Sequence, residues 1–135
     1  MALITWQPKF NLNLNIIDQQ HQMLVVMIND LYEAFSLGKD RQILANLINK
    51  LGVYAAMHFA REEHFFEVFS YPNSEEHVQE HSSFDDKVLL FEEDFNTGKQ
   101  DLTLEVLKFL SDWLVNHING SDRKYAPFLK ARGID

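Results

Sequence analysis

Polar side chains interrupt the apolar faces of four predicted helices in this chain. Five of its six histidines, together with two acids, fall where a helix would point toward the interior. Burying such groups is costly unless each finds a partner, and a metal ion can satisfy several of them at once. These donors are too many for one ordinary ion, so the pattern favours two ions. They are His21, His58, Glu62, His77, His81, His117 and Asp122.

Composition and charge limit both the size of the fold and its partners. A chain of 135 residues with 46% hydrophobic residues can form one domain, 1–135, with a real core. The net charge of −8 argues against nucleic acid and against anionic membrane surfaces, because both require a basic face. The chain has no cysteine, which excludes disulfides, thiolate zinc sites and iron–sulfur clusters.

The start of the chain carries no recognisable targeting signal. It lacks the basic residues and the apolar run of a signal peptide. No segment approaches the roughly 18 uncharged apolar residues that span a membrane. Because the lack of cysteine is also consistent with a reducing compartment, we expect a cytoplasmic protein.

Apolar positions spaced three and four residues apart predict four helices. Gly38 is a suitable stop for the first helix. Tyr71-Pro72 ends the second, because the residue before a proline avoids helical angles. Asn73 and Glu76 resemble a capping box at the start of the third. The expected helices span residues 17–37, 41–69, 73 or 74 to 95, and 102–118.

Two further segments flank these helices. Residues 1–16 are expected to form an irregular arm on the helical body, although their alternation would also suit a strand. Asn119-Gly120-Ser121 disturbs the end of the fourth helix, and a short helical tail follows to about residue 130. Four long helices with short connections predict an all-α fold, an antiparallel up-down-up-down four-helix bundle, which with its tail covers 17–131. The apolar anchors of the arm are Trp6, Phe10, Leu12, Leu14 and Ile16.

Helical spacing brings several of the polar residues together in pairs. Residues four apart lie about 40° apart around a helix axis, so His58 projects with Glu62, and His77 with His81. Either pair alone is weak support for a metal site, because this spacing is common by chance. Both pairs, however, continue the apolar stripe of their helix, as do the single histidines of the first and fourth helices. Without a metal, a small core would hold four polar clusters satisfied only by one another.

Asp122 can join this set only if its helix is distorted. It lies five residues after His117, about 140° around a regular α-helix. The two can share a site if the helix widens locally, as in a π-bulge, or ends there. Gly120 lies between them and would permit the distortion. By contrast, Glu63 and His64 face away from the stripe and are interpreted as surface residues.

The donor types narrow the choice of metal. Imidazole suits iron, copper, zinc and nickel, whereas carboxylates can bridge two harder ions. A structural zinc would use four ligands rather than seven. If both carboxylates and a solvent oxygen bridge two ions, one ion with three histidines is six-coordinate. The other ion, with two histidines, keeps one open position for a small ligand.

The order of these motifs resembles the hemerythrin family, in particular its single-domain bacterial members (bacteriohemerythrins). The resemblance extends from about residue 6 to 128, and it includes Trp6 and the Tyr71-Pro72 turn. The chain departs at Asn13-Leu14-Asn15, where a glycine is common, and at His64, where an apolar residue is more usual. The matching motifs are Asp18-Gln19-Gln20-His21, His58-Phe59-x-x-Glu62-Glu63, His77-x-x-x-His81 and Trp113-Leu114-x-x-His117-Ile118-x-x-x-Asp122-x-x-Tyr125.

The resemblance implies a non-haem centre of two iron ions with an oxo or hydroxo bridge. Such a centre binds dioxygen reversibly, for storage, delivery or sensing. Glu62 and Asp122 would bridge the two irons. One iron would take His77, His81 and His117, and the other, with the open position, would take His21 and His58.

The open position should lie in a dry, apolar pocket. Water and protons would promote loss of the bound oxygen and leave both irons ferric. Four apolar residues within one helical turn of the ligands are expected to line this pocket. They are Leu24, Phe59, Trp113 and Leu114.

Two other functions stay open on the same scaffold. A di-iron peroxidase, oxidase or nitric-oxide-handling enzyme is the main alternative, although histidine-rich ligation favours reversible binding. No catalytic acid or base is evident, and only Tyr54 and Tyr125 lie near the ligands in sequence. Iron storage has less support, because no acidic run is present. Dioxygen is the expected ligand, neither nucleic acid nor membrane is expected to bind, and a protein redox partner is undefined.

Overall fold

The computed structural model describes residues 3–135, and 80% of the chain is helical. Four long helices form the predicted four-helix bundle. Across residues 3–135 there is no strand, and no helix is long and apolar enough to cross a membrane. The helices are α1 (Asn15–Ser36), α2 (Asp40–Phe69), α3 (Ser74–Asn96), α4 (Leu102–Trp113) and α5 (Arg123–Lys130), with a π-helical segment (Leu114–Asp122) between α4 and α5.

The predicted metal donors lie between two apolar clusters. The larger cluster fills the bundle toward the α1–α2 and α3–α4 connections and includes Phe10 of the arm. The smaller one joins Leu12 and Leu14 of the arm to the end of α2 and to α5. On α1, His21 follows Ile17 of the smaller cluster and precedes Leu24 of the larger one. On α2, Glu62 lies in the same way between Phe59 and Phe66. On both α1 and α2, the donors therefore lie in a layer of the bundle that has an apolar cluster on either side along the helix axis.

Most of the positions expected to face the interior are buried, with five exceptions. Phe35 near the end of α1 is 37% exposed, and Phe95 on α3 and Trp113 at the end of α4 are half-buried. On α2, Phe65 and Phe69 are only half-buried, and Phe66 is buried in their place. Phe66 faces the smaller apolar cluster, where its ring lies 5.3 Å from that of Tyr125. Packing against this smaller cluster determines which phenylalanine of α2 is buried, and the helical period of the sequence alone does not specify it.

The arm follows the helical body, as predicted, but it ends earlier. Helix α1 begins at Asn15, so Ile17 is buried and Ile16, expected as an anchor, is 47% exposed. The Asp18 carboxylate accepts a 2.9 Å hydrogen bond from the backbone N–H of Leu12 and fixes the arm to α1. The arm contains one short 3-10 helix, Pro8–Phe10, and its buried residues are Phe10, Leu12 and Leu14.

The ends of the helices were predicted from turn chemistry, with mixed success. Gly38 adopts φ +70° just after α1, as a glycine stop requires. The capping box predicted at Asn73 is wrong, because that side chain makes no capping hydrogen bond. Asn73 has φ −99° and ψ 21°, which is not the extended backbone from which an N-cap side chain reaches the first turn. Acidic residues in the first turn, Glu75 and Glu76, favour this helix start instead.

The fourth helix does not end at residue 118. It continues as the π-helical segment and passes without a break into α5. A π-helix joins residues five apart, so His117 and Asp122 come onto one buried face. This is the widening that their spacing requires. Gly120 is not its cause, because it does not adopt a positive φ and an added Cβ would meet nothing within 4 Å.

Candidate metal centre

The structure brings all seven predicted donors to one level of the bundle. One comes from α1, two from α2, two from α3 and two from the π-helical segment. Each is at most 3% exposed, in a zone where unpaired polar atoms are costly. The donors are His21, His58, Glu62, His77, His81, His117 and Asp122.

The donors form two overlapping groups, and the two carboxylates belong to both. Within each group, one donor atom per residue lies within 4.8 Å of all the others. Glu62 and Asp122 can therefore reach two ions at once. The larger group adds His77, His81 and His117, and the smaller adds His21 and His58.

Asp122 faces both groups with different oxygens. Its Oδ1 lies 2.7 Å from His77 Nε2 and 3.0 Å from His117 Nε2, and its Oδ2 lies 3.0 Å from His21 Nε2. Such a carboxylate could bridge two ions, one through each oxygen, or accept protons from both sides. The π-helical geometry is what gives Asp122 this central position.

Glu62 is the second shared carboxylate. Its Oε1 lies 3.2 Å from the Nε2 atoms of both His58 and His81, which belong to different groups. Its Oε2 accepts a short hydrogen bond from the hydroxyl of Tyr125. Tyr125 is fully buried, so this contact fixes the carboxylate from the side of the smaller apolar cluster.

Outer contacts orient three of the histidine rings. The Nδ1–H of His58 donates to Gln20 at 2.6 Å, that of His81 to Glu63 at 2.8 Å, and that of His117 to Glu80 at 3.1 Å. Ser121 in turn donates to Glu80 at 2.8 Å. A proton on Nδ1 leaves Nε2 with a free lone pair directed into the centre, as a metal ligand requires.

These outer residues were missed or misjudged in the sequence. Glu63 is not a simple surface residue as predicted, because it is half-buried and holds His81. Gln20, Glu63 and Glu80 each lie directly beside a donor in the chain. That adjacency is a signal, but adjacent residues diverge on a helix, and only a neighbouring helix brings them onto a ring nitrogen. His64 is exposed, as predicted.

The two carboxylates attract protons to the histidines around them. Burial opposes the charged form of His117, yet the nearby Asp122 carboxylate outweighs it and raises the pKa of His117 to about 9. Burial likewise opposes the charged form of His58, but Glu62 raises its pKa. Burial and Asp122 would raise the pKa of Glu62, while contacts with His58 and His81 lower it to about 2. The centre therefore favours bound positive charge.

The fit of a metal is tested by the buried atoms that have no hydrogen-bond partner. His77 Nε2 and Asp122 Oδ1 are only 2.7 Å apart, yet they are not aligned for a hydrogen bond. The Nε2 atoms of His21 and His58 face each other at 3.2 Å, where at most one can donate. Donor atoms that converge without pairing are the arrangement that a shared cation satisfies. The atoms without a partner include Nε2 of His77, His81 and His117, Oε1 of Glu62 and both carboxylate oxygens of Asp122.

The four residues expected to line an oxygen pocket all lie beside the centre or within the core. Leu24 and Leu114 are fully buried. The ring of Phe59 stacks on His81 at 3.8 Å, and that of Trp113 stacks on His117 at 4.0 Å. Both of these histidines belong to the larger group, whereas the sequence placed the aromatic residues around the smaller one. Phe59 also lies 5.9 Å from His58, so it contacts both groups.

Comparisons with known proteins give the same family from sequence and from structure. The family profile "Hemerythrin HHE cation binding domain" matches residues 12–129. Among curated relatives, the chain is 36% identical to the bacteriohemerythrin of Stenotrophomonas maltophilia, covering 97% of this chain and 84% of that one. It is 31% identical to the bacteriohemerythrin of Methylococcus capsulatus, covering 97% of this chain and 100% of that one.

A crystal structure of wild-type hemerythrin superposes on the whole bundle. The TM-score is 0.83 at 30% identity, and the match covers 93% of this chain and 97% of that one. The residues that the family profile matches, 12–129, include all seven donors. The chain therefore belongs to the hemerythrin family.

Proposed function

We propose that this protein binds dioxygen reversibly at a centre of two iron ions, as a binding protein rather than an enzyme. The observation that carries the proposal is the pair of overlapping donor groups, which share Glu62 and Asp122 and are otherwise built from histidines. The names of the relatives agree with an oxygen-binding role. The cytoplasmic location expected from the sequence stays a prediction, as does the single-domain assignment.

The donor set favours iron over the other metals that imidazole binds. A structural zinc site would be closed with four ligands, often thiolates, and this chain has no cysteine. Mixed imidazole and carboxylate donors with shared oxygens suit two ions that prefer higher coordination. Five histidines and two carboxylates are also less anionic than the glutamate-rich set of other di-iron bundles. A donor set with less negative charge favours reversible binding and release of the ligand over its chemical conversion.

Each donor group has a different task in this proposal. The larger group supplies three histidines and would fill every coordination position of its ion. The smaller group supplies two histidines and would leave one coordination position of its ion free for a ligand. When bound, the two irons would supply the two electrons that dioxygen takes up and returns. The protein's own contribution is to hold both ions through the shared carboxylates and to exclude water.

Exclusion of water follows from the apolar residues around the donors. Leu24 and Leu114 are at most 1% exposed, and Phe59 covers the His81 ring. A dry site keeps water and protons away from the donors, which would favour release of the bound ligand unchanged. We propose that these residues, with Trp113, perform that role.

The experiment that tests this function is anaerobic loading with Fe(II), followed by oxygen and then argon. The visible spectrum should gain a charge-transfer band with oxygen and lose it under argon, over several cycles. A band that passes irreversibly to a ferric spectrum would contradict reversible binding and support the redox-enzyme alternative. Loading with Zn(II) is the control, because it fills the donors without supplying electrons, and it should give no band.

A further inference from the structure

One buried polar group in the centre is not used by the metal donors. The hydroxyl of Tyr54 is fully buried and has no hydrogen-bond partner. A buried polar group without a partner destabilises the fold, and a phenylalanine would fill the same space without that penalty. The hydroxyl therefore points to a partner that is not part of the protein.

The position of Tyr54 links it to the smaller donor group. It lies one helical turn before His58 on α2, and its ring is stacked on that histidine at 5.3 Å with an angle of 18° between the planes. His58 is one of only two histidines in that group. Leu24 and Leu51, which are fully buried, belong to the same apolar cluster as Tyr54, so water is excluded around this side chain.

The hydroxyl of Tyr54 is a hydrogen-bond donor that no contact within the protein uses. Tyr125, the other buried tyrosine beside the donors, already donates its hydroxyl proton to Glu62. Tyr54 is therefore the phenol whose proton is free to serve a bound ligand.

We propose that the Tyr54 hydroxyl donates a hydrogen bond to the small ligand bound at the smaller donor group. It would make that position selective for ligands with an accepting atom, which include dioxygen and small anions such as azide. Tyr54 would then be a specificity-determining residue of this site. This inference rests on the proposed function, because it requires iron in the centre.

The test compares Tyr54→Phe with the wild-type protein, using azide as the probe. After oxidation to the diferric state, azide binding is titrated through its visible charge-transfer band. Loss of a hydrogen bond to a charged acceptor should weaken azide binding roughly tenfold. Tyr32→Phe, the same change on a half-buried tyrosine three turns beyond His21 on α1, should bind azide like the wild type.

Two further measurements separate this role from a structural one. The free energy of unfolding of the metal-free Tyr54→Phe protein should equal or exceed that of the wild type, because no protein contact is lost. In the wild type, the azide stretching frequency in the Raman spectrum should shift between H2O and D2O, and the shift should diminish in Tyr54→Phe. The wild-type shift can be measured even if the variant fails to take up iron.

The outcomes distinguish the two proposals. Equal azide affinity in Tyr54→Phe and wild type, or no solvent-isotope shift in the wild type, would overturn the role of Tyr54 while leaving the iron centre intact. A variant whose unfolding free energy falls markedly would assign Tyr54 a structural role instead. Failure of the wild type to take up iron would overturn the proposed function, and this inference with it.

Discussion

Single residues around the donors divide the centre into two unequal halves. Glu63 and Glu80 accept hydrogen bonds from His81 and His117 of the larger group, whereas His58 of the smaller group donates to the neutral amide of Gln20. An acidic acceptor makes an imidazole more basic and a stronger metal ligand. The larger group should therefore bind its ion more tightly and stabilise the higher oxidation state.

Glu80→Gln tests this effect of charge while retaining an accepting oxygen. We expect about tenfold weaker metal binding by the variant, at the low end of the range for such contacts. A competitive titration with Co(II), which also reports coordination through its visible spectrum, measures the change. Glu93→Gln, an exposed position on the same helix, is the matched control. Equal affinity in Glu80→Gln and Glu93→Gln would show that Glu80 does not act on His117.

Leu114 is the residue that tests the dry pocket. It is 1% exposed and lies three residues before His117. Leu114→Asn should speed autoxidation of the oxygenated protein severalfold, because the amide brings water and protons to the centre. The decay of the oxygenated band at fixed temperature measures the rate. Val115→Asn is the control, since Val115 is 56% exposed in the same segment. An unchanged rate in Leu114→Asn would count against the lining role.

Among the elements, the π-helical segment decides whether the two groups can share Asp122. The need for it was predictable, since five residues separate His117 from Asp122 and a regular α-helix would part them. Its extent, Leu114–Asp122, was not predictable, because it depends on how the metal donors and α5 pack together. Gly120 was expected to permit the distortion, but it does not adopt the positive φ for which a glycine would be needed.

Gly120→Ala tests this correction directly. The residue needs no positive φ, and an added Cβ meets nothing within 4 Å. We expect the variant to raise the free energy of unfolding by roughly 0.5–1 kcal/mol, because alanine loses less backbone entropy than glycine in a helix. Chemical denaturation of the metal-free protein gives the value, and iron uptake should be unaltered. A variant that folds but takes up less iron would restore Gly120 as a requirement of the distortion.

The long helices were predictable to within two residues at most of their ends, because strong apolar periodicity governs them. The exception is the fourth helix, which continues through the π-helical segment beyond residue 118. Smaller differences at the helix starts have local causes. Helix α1 starts early at Asn15, which turns Ile17 rather than Ile16 inward. Helix α3 begins without the expected cap, since Asn73 does not adopt an extended backbone. The first residue of a helix and the formation of its cap depend on a few backbone dihedral angles, and the type of residue favours but does not determine those angles.

For the molecule as a whole, the buried charges predict how the metal-free protein responds to pH. The pKa of His117 is raised to about 9, so its contribution to stability is present below its ordinary value near 6.5 and is lost as the pH rises through 9. The pKa of Glu62 is lowered to about 2, so its contribution is present above about 4.5 and is lost as the pH falls toward 2. Both shifts describe interactions within one cluster and do not add.

The metal-free protein should therefore be most stable between about pH 4.5 and 6.5, and its unfolding free energy should fall on both sides. Metal replaces the protons, so binding should release protons and weaken as the pH falls. Urea denaturation across this pH range, with and without Zn(II), measures both effects. Stability of the metal-free protein that increases between pH 7 and 9 would contradict the charge arrangement described above.

For the molecule as a whole, the sequence predicted which metal donors come together, but not which residues contact those donors from outside. The seven donors could be named because each interrupts an apolar stripe, and a bundle must bring such stripes together. Gln20 and Glu80 could not, because their role depends on the rotation of one helix against another. The position of Phe59 and Trp113 against the larger group has the same origin.

The central claim is that seven buried side chains hold two ions through shared carboxylates. The most direct measurement is the iron content of the protein after anaerobic loading and removal of loose metal, with Asp122→Asn measured alongside. Two irons per chain in the wild type, and a loss in the variant, are the result predicted from the bridging position of Asp122. One iron per chain, or two that persist unchanged without the Asp122 carboxylate, would contradict it.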